Sequence, residues 1–61
     1  MKLQDAKQFV LETFKAVADL SYAEVRATYA DLQQEVEAAQ SIDRLREICD
    51  CYAIDVEEIE N

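Results

Sequence analysis

The sequence predicts an all-α fold: a small bundle of two longer helices, a shorter third helix and a terminal helical turn. Three observations point there. Glycine and proline are both absent from the 61 residues, and tight hairpin turns depend on residues that tolerate positive φ, which disfavours a many-stranded β fold. Ala, Leu, Glu, Gln, Lys and Arg, the good helix formers, make up much of the chain. Apolar residues also recur at helical spacing through most of its length.

In the first segment Leu3, Ala6, Val10, Val17 and Leu20 follow a helical stripe, which Phe9 and Phe14 widen. Asp19-Leu20-Ser21 reads as a break. Ser21 followed by Glu24 matches a capping box, with the serine oxygen accepting an orphan N–H at the start of the second helix. That helix is the more regular one: Tyr22, Val25, Tyr29, Leu32, Val36 and Ala39 fall at spacings of 3, 4, 3, 4 and 3, the seam of a bundle or coiled coil. Ser41 caps the third helix, with Asp43 in its first turn where the helix dipole favours an anion. Ile42, Leu45, Ile48, Cys49 and Tyr52 form its apolar face. Asp55 and Glu58 suggest a further capping box, opening a terminal turn through Val56 and Ile59. Residues 52–56 also alternate like a strand, an alternative the pattern leaves open.

The length makes one domain, residues 1–61. A chain this short buries only about 60% of the surface that its unfolded form exposes, and small scaffolds compensate with disulfides, a metal, regular helix packing or association. Histidine is absent and the two cysteines, Cys49 and Cys51, are one residue apart, so no disulfide framework is expected. Helix packing and self-association remain, and a homodimer is the expectation. A hydrophobic fraction of 51% argues against disorder despite a net charge of −8. No basic segment followed by an apolar run opens the chain, and no apolar stretch approaches the roughly 20 residues that span a bilayer. A soluble cytoplasmic protein in a reducing compartment is expected, without a membrane partner.

The charge is unevenly placed. Residues 1–30 balance Asp5, Glu12, Asp19 and Glu24 against Lys2, Lys7, Lys15 and Arg26, whereas residues 31–61 set ten acids against only Arg44 and Arg46. Asp31 and Glu35 are four apart on one helix, and Asp43, Glu47 and Asp50 form a second row at spacings of 4 and 3. Like charges at i,i+4 repel by roughly 0.2–0.5 kcal/mol per pair, so helix stability alone would place Lys or Arg at some of these positions. Carboxylates four apart stand about 6 Å apart along a helix axis. That interval is comparable to the step between successive phosphates of a DNA strand, about 3.4 Å of axis plus the sideways twist. One reading is a solvated face that promotes solubility. The other is a nucleic-acid mimic, whose carboxylates Asp31, Glu35, Asp43, Glu47 and Asp50, flanked by Glu57 and Glu58, occupy the basic groove of a nucleic-acid-binding protein.

Catalysis and cofactors are disfavoured by what is missing. A hydrolytic triad needs a general base, usually histidine. Walker-type and dinucleotide-binding loops and the EF-hand need glycine, and the helical di-iron pattern needs Glu-x-x-His. Carboxylates doing acid–base work need a cleft that raises one pKa, for which three short helices leave little room. Residues two apart on a helix point about 200° away from each other, so Cys49 and Cys51 cannot jointly chelate an ion, and no metal site is expected. The expected place for Cys49 is the core and for Cys51 a helix edge, with an intermolecular disulfide as a practical hazard. Tyr22, Tyr29 and Tyr52 read as core residues with their hydroxyls at the rim. The expectation is a non-enzymatic protein without cofactors.

Two resemblances follow. Ile42-Asp43-Arg44-Leu45-Arg46-Glu47-Ile48, then Tyr52-Ala53-Ile54-Asp55-Val56-Glu57-Glu58-Ile59, resembles the last two helices of phage-repressor-type helix-turn-helix domains. Ala53 replaces the turn glycine usual in that family, and no basic recognition helix precedes the segment, so the Lys and Arg that DNA phosphates require are missing. Direct nucleic-acid binding is not expected. In size, acidity and helix content the chain is similar to phage inhibitors of the anti-CRISPR, DNA-mimic class. That resemblance implies an acidic face seated on the DNA-binding or PAM-reading surface of a Cas effector. A rival from a different class is a dimeric interaction module, an antitoxin or small co-regulator working through the Val25-Tyr29-Leu32-Val36 seam. Another is a structural subunit of a larger assembly.

Overall fold

The computed structural model describes residues 2–54. Three helices form a bundle: α1 (Leu3–Val17), α2 (Ala23–Ala38) and α3 (Ile42–Cys51). The all-α class is therefore as the sequence predicts. No strand occurs among the described residues, and Tyr52–Ile54 lie in the turn after α3 rather than in a strand. The terminal helical turn, the Asp55–Glu58 capping box, Glu57 and Glu58 lie outside the described residues.

The break between α1 and α2 falls at residues 18–22, where Asp19-Leu20-Ser21 predicts it. Its chemistry differs from the expected capping box. The Ser21 hydroxyl donates 2.6 Å to Asp19 Oδ1, the Ser21 backbone N–H donates 3.0 Å to the same atom, and Tyr22, not Ser21, is the residue at the N-cap of α2. Ser21 stands one residue before that cap, in a tight turn where its hydroxyl and N–H both donate to the Asp19 carboxylate. The two Ser21 donors, the hydroxyl first, hold the Asp19 carboxyl below its ordinary range. Arg26 Nη1 then ties the turn to α2 by donating to the carbonyls of Leu20 (2.7 Å) and Ser21 (3.1 Å).

Ser41 does cap α3, its Oγ accepting from the Arg44 N–H at 3.1 Å. The other end of α3 closes with a Schellman motif. Ile54 N–H reaches the Cys49 carbonyl at 2.9 Å and Ala53 N–H the Asp50 carbonyl at 3.3 Å, with Ala53 in the left-handed region at φ 55°.

The core consists of Ala6 and Val10 from α1, Leu32 and Val36 from α2 with Ala39 just after it, and Leu45, Ile48 and Cys49 from α3. Leu3, Phe9, Leu11, Phe14, Ile42, Tyr52 and Ile54 pack around it, half-buried. Lys7 fastens α1 to the end of α2 by donating 2.9 Å from Nζ to the Glu37 carbonyl, one of the orphan acceptors of a helix C-terminus. Three sequence assignments change. Val17 is 80% exposed and Tyr22 64% exposed, and Leu20 lies in the turn, so none of them joins the core stripe. The cause is length: α3 has 10 residues against 15 and 16 for its partners, and it covers only the half of the α1–α2 pair away from their connecting turn.

Candidate functional site: an acidic surface on α2 and α3

On α3 the apolar side chains Ile42, Leu45, Ile48, Cys49 and Tyr52 occupy one face. At about 100° per residue, Asp43, Glu47 and Asp50 fall within a ~60° arc on the opposite face. All three are exposed, so the row projects straight away from the core. Arg44 lies beside it and binds Glu47, Nη1 to Oε2 at 3.1 Å, with the two side chains 53% and 68% exposed. An ion pair this open contributes little to stability and leaves the Glu47 carboxylate accessible.

The second pair of acids stands on α2. Asp31 and Glu35 are exposed and occupy the shoulder of that helix against which the end of α3 packs. The link is Tyr52, whose hydroxyl donates to Glu35 Oε2 at 2.7 Å. That bond, some burial and the charges of Glu35, Asp31 and Cys51 push the Tyr52 phenol up to about 12. Tyr52 thus links the α2 pair to the apolar face of α3, opposite the Asp43–Glu47–Asp50 row, and the five described carboxylates form two groups, a row on α3 and a pair on α2.

Sequence reasoning misses two members of this surface. Arg44 dilutes the row, which its i,i+3 spacing to Glu47 signals. Tyr52 appears in the sequence as an apolar face residue, and nothing in the sequence identifies Glu35, 17 positions away, as its partner. Glu37, although acidic, has its carbonyl taken by Lys7 and its carboxylate by Gln33 at 3.5 Å.

Cys49 is buried and Cys51 exposed, as the sequence predicts. Burial first, and then the neighbouring Asp50 charge, raise the Cys49 thiol above its ordinary value, which leaves it inert. Among the described residues no group of three or more thiols and carboxylates is placed to hold a metal ion. Nor is any described helix long and apolar enough to cross a membrane. The seam residues Leu32 and Val36 are fully buried against the chain's own α1 and α3, and are not a free surface for a partner.

No protein-family model matches the sequence, and neither a curated protein nor a solved structure is similar to it at a significant level.

Proposed function

We propose that the protein is a non-enzymatic acidic inhibitor that binds the nucleic-acid-binding surface of a basic protein, as a DNA mimic of the anti-CRISPR kind would bind a Cas effector in the cytoplasm of a bacterial host. The observation that supports this reading is the α3 row. Asp43, Glu47 and Asp50 project directly away from the core and stand about a helical turn apart. The α3 row is a ridge of fixed negative charge, with Asp31 and Glu35 as a second exposed acidic pair on α2. A basic groove attracts such a ridge at long range and accelerates its association. Glu57 and Glu58 extend the acidic run in sequence.

The test is capture of a partner from host lysate, eluted by a salt gradient and challenged with duplex DNA. Exposed charges are screened beyond about 8 Å at physiological ionic strength, so a mimic is released by moderate salt and displaced by DNA. The triple variant Asp43→Lys, Glu47→Lys, Asp50→Lys should lose that partner while keeping its helical circular dichroism. Full binding by the folded triple variant would sink the proposal.

A further inference from the structure

The core face of the α1–α2 pair continues past the end of α3. Val17 follows Ala6 and Val10 at spacings of 4 and 7 and falls on the same face of α1, yet it is 80% exposed while those two are fully buried. On α2, Val25 is in register with the buried Leu32 and Val36 but only half-buried, and Tyr22 beside it is 64% exposed. Among the described residues a stack of Phe14 on Tyr29, centroids 5.7 Å apart, closes this end, with the Lys15 ammonium 5.4 Å from the Tyr29 ring centroid. The result is an apolar strip, continuous with the core, at one end of a molecule 33 Å long.

We infer that this end is where a second copy of the chain docks, tip to tip, so that the uncovered ends of two α1–α2 pairs complete one four-helix layer. Charge selects the occupant. All the net negative charge lies in residues 31–61, whereas residues 1–30 carry four acids and four bases. Side-by-side copies would press acidic surfaces together. Tip-to-tip copies bring neutral ends into contact and hold the acidic ridges at opposite poles, farther apart than the ~8 Å over which charges interact at physiological salt. Mixed charges around the tip suit a twofold contact, where each patch meets itself. Val17 and Tyr22 are the anchors, the aromatic being of the type that dominates interface energetics. The inference makes no use of the function proposed for the acidic ridge.

Sedimentation velocity on the whole chain, from micromolar to millimolar concentration and from low to high salt, tests it. The expected result is a monomer–dimer equilibrium that shifts toward dimer as salt screens the acidic poles. Val17→Glu should weaken the dimer by roughly tenfold or more, because it buries a charge in an apolar contact. Tyr22→Ser should also weaken it, while giving α2 the side-chain cap that it lacks, so a loss of dimer there cannot be a loss of fold. A monomer at every concentration overturns the inference, as does a dimer indifferent to both substitutions. A different protein bound through Val17 by a chain that stays monomeric also overturns it.

Discussion

The Tyr52 hydroxyl donates a 2.7 Å hydrogen bond to Glu35, and so ties the turn after α3 to the last turn of α2. The bond needs a protonated phenol. Its folded pKa is about 12 against an ordinary 10.0, so the group is raised on folding. A raised group contributes stability that is fully present below its unfolded value and is lost as pH rises through the folded one. Tyr52 therefore supports the fold below about pH 10, and that support fades as pH rises toward 12. Tyrosinate absorbance should show one late step near pH 12, and Tyr52→Phe should remove that step and flatten the fall in melting temperature between these pH values. A late step that persists in Tyr52→Phe would reassign it to another tyrosine.

Ala53 sits at φ 55°, at the position of a Schellman motif that glycine normally fills. A Cβ in the left-handed region costs about 1–2 kcal/mol, of which glycine returns part through its greater freedom when unfolded. Ala53→Gly should raise stability by about 1 kcal/mol, or about 4–8 °C in melting temperature for a domain of this size. An unchanged or lower melting temperature would mean that the left-handed turn does not form in solution.

How much of this was legible in the sequence depends on whether the cause was local. The three helices, the break at Asp19, the Ser41 cap and the opposite placements of Cys49 and Cys51 all follow from residues within a few positions of one another. The acidic rows are visible for the same reason, because i,i+4 spacing fixes a helix face. What the sequence hides depends on the length and path of another element. Val17 has the periodicity of a core residue, and only the shortness of α3 leaves it exposed. Tyr52 meets Glu35 because the path of α3 brings its C-terminal end back to α2, which no spacing within either helix encodes. Ser21–Glu24 fits a capping box, but the turn that Asp19 closes on Ser21 sets the start of α2 one residue later, with Tyr22 at the N-cap.

Asp50 separates the two explanations of the acidic ridge. It lies in the last turn of α3, where the dipole favours cations and where no basic residue stands. It also follows Glu47 by three positions, a second like-charge penalty. Asp50→Lys relieves both but sets Lys four positions after Arg46, a new like-charge pair, so the effects offset and the melting temperature of the isolated protein should move by no more than about a few degrees. If the ridge serves only solubility, that change carries no functional cost, because the chain keeps a large negative charge. If the ridge binds a basic groove, the folded variant should bind its captured partner more weakly, with a shallower dependence on salt. Differential scanning calorimetry and a salt series of binding isotherms on the same preparation decide between them. Retained stability with undiminished affinity would leave the ridge as a solvated face, and retained stability with lost affinity would show a carboxylate kept at a helix end for the sake of its partner.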